Sequence, residues 1–276
     1  MSQFPKDRRE TWITGIGIVS SLGDGLEATW DALHQGRVNV DQKTYAPWMV
    51  HPLPPFELDA QIPKKSDQRQ METWQRIGTY AAGLALDSAG IKGNQEILAR
   101  TDMIVAAGGG ERDLDVDAAI LTSRADARSG PLNERLMNDL RPTLFLAQLS
   151  NLLAGNISIV HGVSGSSRTF MGEEAAGVDA VRIAWAKIAS GQSEIALVGA
   201  AHNGERKEIL SSSGHRLPSQ NLGHHKVSAR EVARLRLVRH RQRPFHGGSL
   251  GYAAPWLITG LLNRRASLWL NRRIGP

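Results

Sequence analysis

The sequence predicts an α/β fold in which helices cover a β-sheet. Three observations carry that expectation. Short runs that are mostly apolar recur at Thr11 to Val19, Asp102 to Ala107 and Glu194 to Ala200. A strand apolar along its whole length needs cover on both faces. Segments with apolar residues at helical spacing stand between these runs, at Leu26 to His34, Met71 to Ala89 and Glu174 to Ser190. Strands alternating with helices are the pattern of layered α/β domains.

Each element has a local reason. Thr11 to Val19 (TWITGIGIV) is rich in β-branched residues, and its glycines let a neighbouring backbone come close. Residues 36–70 carry Pro47, Pro52, Pro54, Pro55 and Pro63, which predicts an irregular excursion. Met71 to Ala89 reads as a strong helix closed by Gly90 at its C-terminal cap. The strand Asp102 to Ala107 runs into Gly108-Gly109-Gly110. Leu144 to Leu153 is expected as a helix and Ile157 to Val160 as a short strand. Glu174 to Ser190 is a helix of small residues ended by Gly191, and Glu194 to Ala200 a buried strand.

Composition narrows the function. The 276 residues are 41% hydrophobic, as in ordinary globular proteins. No apolar run approaches the roughly 20 residues needed to cross a bilayer. The opening MSQFPKDRRE lacks the apolar core of a signal peptide, so a cytoplasmic location is expected. The absence of cysteine excludes disulfides, thiolate metal sites and a cysteine nucleophile. No HExxH or comparable cluster is present, and neither metal nor cofactor is expected.

The net charge of +6 is unevenly placed. Residues 211–276 hold 12 Lys and Arg and one acid, Glu231, leaving 21 basic and 26 acidic residues in 1–210. The expected division is therefore a mildly acidic domain over 1–210 and a basic tail over 211–276. The tail reads either as a basic arm for RNA or anionic membrane or as an aberrant, poorly ordered terminus. The second reading is preferred, because nothing else in the tail is patterned and it lacks the interleaved aromatics of single-strand binders. The tail is then expected to add little sheet, and nucleic acid is disfavoured as a partner.

Gly15-Ile16-Gly17 lacks the third glycine of GxGxxG, and Gly108 to Gly110 lacks the Lys-Ser/Thr of a phosphate loop. Both read as places of close backbone packing. His161 to Gly177 (HGVSGSSRTFMGEEAAG) is more informative, since it joins an expected strand to a helix start. Ser164 is not in a nucleophile elbow, because GxSxG would need glycine where Ser166 stands. Glu173 and Glu174 are acids at a helix N-terminus, where the dipole favours them.

Four segments in order resemble the β-ketoacyl-acyl carrier protein synthases: TWITGIGIVSSLG, METWQRIGTYAAGLALDSAGI, DMIVAAGGG and LVGAAHN. The resemblance spans about 200 residues and covers the N-terminal half of that family. It implies a thiolase-like layered α/β fold, here one half of the usual duplication, and a role in fatty-acid or polyketide chain extension. The family's second half, with two catalytic histidines and a lysine, has no counterpart here.

In that family the nucleophilic cysteine begins a helix, where the dipole lowers the thiol pKa. Counting back through the helix from Gly191 and Gly177 places Glu174 at the cysteine position. Counting forward from Gly155-Asn156-Ile157-Ser158-Ile159 places Ser164 there, ten residues earlier, which implies an insertion. The helix count is preferred, because GEEAAGVDA also resembles the TEQAGGLDA-like stretch of chain-length factors, which lack the cysteine and pair with an active ketosynthase. A carboxylate is a poor nucleophile and an acyl–Glu anhydride is fragile in water. The resemblance thus implies a non-condensing or truncated subunit, with acyl carrier protein as partner and a homodimer, or a heterodimer with an active ketosynthase, as assembly. The alternatives are an active acyltransferase using Ser164 or Glu174, and a nucleic-acid or membrane binder acting through the tail.

Overall fold

A computed structural model of the chain describes residues 10–110, 112–125, 129–140, 148–171, 175–213 and 257–263. The elements run β1 (Trp12–Ser20), β2 (Gly23–Asp24), α1 (Leu26–His34), α2 (Lys65–Gln70), α3 (Thr73–Ser88), α4 (Gln95–Ala99), β3 (Asp102–Ala107), α5 (Leu114–Ala125) and α6 (Ser129–Asn138). They continue with α7 (Leu152–His161), β4 (Ser167–Met171), α8 (Ala176–Ser190), β5 (Ile195–Ala201), α9 (Lys207–Ser213) and β6 (Leu257–Asn263).

The six strands form one sheet in the order β2-β1-β6-β5-β3-β4. β3 runs parallel to both β4 and β5, and β6 is antiparallel to both of its neighbours. The two-residue period of the strands sends side chains to opposite faces. Met103, Val105, Ile195 and Leu197 pack with Trp74, Ile77, Ala81 and Ala85 of α3 and with Leu153 and Ile157 of α7. Ile104, Ala106, Ala196 and Val198 face the other way and meet Ala176, Ala180, Ala184 and Ile188 of α8. The apolar strands are thus covered on both sides, as their composition requires.

α3 is the central helix of the first layer. Glu72 and Gln75 form a reciprocal capping box at its start, with Gln75 Oε1 accepting from Glu72 N at 3.0 Å. Gly90, at φ 69°, lets the chain turn away after its last residue. Gly15 and Gly17 of β1 face this helix, and a Cβ on either would run into α3 backbone atoms. The close packing expected of this glycine pair is present.

The structure differs from the sequence reading in several places, two of them in the sheet. Ile157 to Val160 is not a strand; it lies inside α7. Of the expected helix Leu144 to Leu153, residues 144–147 lie outside the described residues, and Leu152 and Leu153 begin α7. Leu153, Ala154, Ile157 and His161 are buried on one side of α7, while Ile159 is 74% exposed. That is helical spacing, and packing against α3 outweighs the β-branched composition of ISIV. Gly162, at φ 76°, ends the helix, and the strand follows at Ser167–Met171.

The second difference concerns the tail, of which residues 214–256 and 264–276 lie outside the described residues. Little sheet was expected from it. Leu257–Asn263 instead forms a strand in the middle of the sheet, with Gly17 opposite Thr259 on one side and Leu197 opposite Leu261 on the other. A composition-based boundary missed this strand because WLITGLL, though apolar and β-branched, sits in an arginine-rich background. The helices α4, α5 and α6 were also not anticipated.

Candidate functional site

The parallel strands β3, β4 and β5 all point their carboxyl ends the same way, and that edge is where open α/β sheets present ligand-binding and reactive groups. β3 leads into Gly108–Gly110, β4 into residues 172–174, and β5 into His202 and Asn203. Glu174 and Glu173 fall in the segment 172–174, outside the described residues. The elements flanking that segment are described. Met171 ends β4, Ala175 is the N-cap of α8 with no side-chain cap, and α8 begins at Ala176. Gly177 allows the first turn of α8 to lie against β5, since a Cβ there would sit 3.3 Å from that of Ala200.

Ser164 lies elsewhere. It is an exposed loop residue between α7 and β4, and its N–H donates to the Leu98 carbonyl at 3.1 Å. It therefore stands at the amino ends of the parallel strands, with the length of β4 between it and residues 172–174. Five residues of strand span about 17 Å.

Close to Ser164, Ser166, Asp102 and Lys187 form a trio that resembles a nucleophile with its base. Ser166 Oγ donates to Asp102 Oδ1 at 2.8 Å, and Lys187 Nζ donates to Asp102 Oδ2 at 2.7 Å and to Ser166 Oγ at 3.3 Å. Burial of the Asp102 carboxyl opposes its charge, but bonds from Lys187, Ser166 and Ser193 outweigh it and hold the group below the ordinary carboxylate range. Ser166 Oγ gives its hydrogen bond to Asp102, and Lys187 Nζ donates to both partners. The trio ties the C-terminal part of α8 to β3 and to the entrance of β4.

At the carboxyl edge, the turn after β5 is built by side chains that the sequence reading did not single out. Asn203 is buried and its Oδ1 accepts from Glu205 N at 3.0 Å. Glu205 accepts from Leu53 N at 2.6 Å and from Tyr45 Oη at 3.4 Å, which pins the 45–53 segment. Arg206 donates to the carbonyls of Gly109 and Gly110 and, through Nε, to Glu208 Oε1 at 2.8 Å. Burial works against the Glu208 charge, yet its own backbone N–H, Arg206 and the Arg112 backbone N–H hold its carboxyl low. The signal for these residues was the polar run HNGERKE directly after a buried strand. Gly108 and Gly109 are not closely packed: a Cβ at Gly109 would meet nothing within 4 Å. That expectation for the glycine run fails because the turn opens into space there, its carbonyls serving as acceptors for Arg206.

Among the described residues no cluster of three His, Cys, Asp or Glu side chains could hold a metal. No described helix is long and apolar enough to cross a membrane.

Known proteins resemble this chain in sequence and in fold. The chain is 26% identical over 200 residues to 3-oxoacyl-[acyl-carrier-protein] synthase 2 of Vibrio harveyi, an alignment covering 70% of this chain and 46% of that protein. This chain thus spans about half the length of the curated relatives it matches. Among solved structures, it superposes on the ishigamide ketosynthase/chain length factor with a TM-score of 0.66 at 21% identity, covering 96% of this chain and 60% of that one. It also superposes on a type II polyketide ketosynthase in complex with its acyl-carrier protein, with a TM-score of 0.65 at 18% identity, covering 96% and 66%. These likenesses show a thiolase-like ketosynthase fold, matched over its N-terminal half. The family model of the beta-ketoacyl synthase N-terminal domain matches residues 8–231, running past the compositional break at 210. The chain belongs to the beta-ketoacyl synthase family.

Proposed function

We propose that this chain is a non-condensing subunit of fatty-acid or polyketide chain extension, of chain-length-factor type, acting beside an active ketosynthase and its acyl carrier protein. What supports this reading is that a member of this family has no cysteine, with Glu174 at the position that counting back through the helix gives to the nucleophile. The position of β4 supports it. Met171 ends β4 and Ala175 is the N-cap of α8, so residue 174 falls just ahead of the helix from which the backward count was made. A carboxylate just ahead of α8 complements the helix dipole and does not form a labile thioester. It can instead stand in for the carboxylate of a malonyl group or hold the site in one conformation.

Assembly is proposed at the outer edge of the sheet. The strand once expected at Ile157 to Val160 is helical, so it offers no such edge; β4 does, with Arg168 and Met171 exposed. An unpaired strand edge is a ready template for a second chain. Sedimentation with and without an active ketosynthase should show a dimer, and a monomer unchanged by that partner contradicts the assembly.

Thiol placement tests the site. Glu174→Cys is expected to give a thiol that reacts with iodoacetamide and with acyl thioesters at neutral pH, with its pKa below the reference of about 8.5. Ser164→Cys, at the other end of the strands, should alkylate as an ordinary exposed thiol and take no acyl group. An inert cysteine at 174 together with an acylated one at 164 would transfer the site to Ser164 and favour the acyltransferase reading.

A further inference from the structure

On the α3 face, at the carboxyl ends of β3 and β5, lies a cleft of about 630 Å³. Its volume is within the range of small-molecule sites, roughly 300–1,000 Å³. One wall is apolar: Leu53, Pro54, Pro55 and Phe56, continued by Ile77 of α3 and Leu114 of α5. This wall is fixed in place. Glu205 clamps the segment through Leu53 N, and Phe56 meets the Tyr80 ring edge-on at 4.8 Å. Tyr80 in turn donates its hydroxyl to Asp24 at 2.7 Å.

The lining also carries Arg76, Arg112, Arg206 and Lys207, with Glu205 and Glu208 among them. Most of these charges are already engaged. Arg112 pairs with Asp117 at 2.6 Å, Arg206 holds Glu208 and two glycine carbonyls, and Glu205 accepts from Leu53 and Tyr45. Two cations remain. Arg76 uses Nε on the Gln68 carbonyl at 2.7 Å, and neither Arg76 nor Lys207 is ion-paired among the described residues. Apolar side chains and two cations with no ion pair among the described residues therefore line one cavity of ligand size.

We propose that this cleft binds an amphipathic anion: a carboxylate or phosphate head against Arg76 and Lys207, and an aliphatic or aromatic body against Phe56 and the proline segment. Guanidinium recognises either head through paired N–H donors, and the ammonium adds a point charge. A neutral ligand of the same body gains only the apolar contact. A cationic one is repelled. The inference rests on the cleft alone and holds whatever role the chain has in chain extension.

Calorimetric titration of the full chain below micellar concentrations tests it, with decanoate, decyl phosphate, decanol and decyltrimethylammonium as probes. One saturable site is expected for decanoate, decyl phosphate or both, at least about tenfold tighter than decanol, with no binding of the cation. A preference between the two anions identifies the head group. Arg76→Gln should weaken the anion about tenfold, and Lys207→Gln, at an exposed position, about threefold. Arg182→Gln, on α8, should leave it unchanged. Lys207 is exposed, so its variant keeps the test valid if Arg76→Gln does not fold. Equal affinity for decanol and decanoate, anion binding untouched by Lys207→Gln, or uptake without saturation at one ligand per chain would each overturn the proposal.

Discussion

Gly17→Val is expected to destroy cooperative folding, whereas Gly109→Ala should leave the melting profile nearly unchanged. Gly17 is buried in β1, paired with Thr259 of β6 and pressed against α3. A Cβ at Gly17 would fall on the Ala81 carbonyl, the Ala85 nitrogen and Leu84 Cβ. Two of those atoms are helix backbone, so relief means moving α3 as a body or breaking its hydrogen bonds. α3 cannot retreat cheaply, because its far side is packed as well: the Thr79 carbonyl bonds His161, and Gly83 lies against His161 and Gln61. Overpacking costs about 1–3 kcal/mol where side chains can shift, and more where backbone must. Against a total stability of about 5–15 kcal/mol, a loss above about 4 kcal/mol is expected to leave little folded protein. Gly109, with open space around it, is the matched control, for which about 0.5 kcal/mol or less is expected. Thermal melts followed by circular dichroism compare the two directly. Similar melting temperatures would mean that α3 and β1 are not in backbone contact.

The glycine pair also illustrates how much of the molecule is legible in its sequence. Short apolar runs bounded by glycine identified β1, β3 and β5 to within a residue or two, because a strand buried on both faces has few compositions open to it. The same logic located α1 and α3, whose boundaries are set by local caps and turns. It failed at Ile157–Val160, where β-branched residues lie on a helix because α3 offers a face for Leu153 and Ile157 to pack on. It failed again at β4, whose SRTFM is too polar for a buried strand and is explained only by its place at the sheet edge. β6 was hidden for a different reason: its apolar, β-branched run WLITGLL sits in an arginine-rich background that masked it. The side chains around the cleft were likewise unreadable. Glu205 and Arg206 owe their roles to Leu53, Tyr45, Gly109 and Gly110, about a hundred residues or more away.

Stability should fall as the pH drops from about 6.5 toward 4, and His161 should be the main cause in that interval. The ring is buried between α7 and α3, where its Nε2 lies 2.8 Å from the Thr79 carbonyl. That carbonyl can only accept, so the neutral ring carries its proton on Nε2, and protonation would place a charge in the core. Gly83 is what lets the ring approach, since a Cβ there would meet both His161 Cε1 and Gln61 Oε1. Burial pushes the His161 pKa down to about 4, and Lys92 assists, while the Thr79 carbonyl and Asp87 oppose the shift. The unfolded chain has the ordinary value of about 6.5. Between the two values the unfolded state binds more protons than the folded one, so stability rises with pH there. The contribution is complete above about pH 6.5 and is lost as the pH falls through about 4. A difference of about 2.5 pKa units corresponds to about 3 kcal/mol at 1.36 kcal/mol per unit. Carboxylates held low, such as Asp102 and Glu208, add their own acid sensitivity nearer and below their ordinary values, so the upper part of the interval reports the histidine. Urea midpoints at pH 7.5, 6 and 5 measure the slope. His161→Gln keeps an N–H donor for Thr79 without a titrating group; it should lower stability at pH 7.5 but flatten the profile between pH 6.5 and 5. An unchanged slope in that variant would assign the acid sensitivity to other groups.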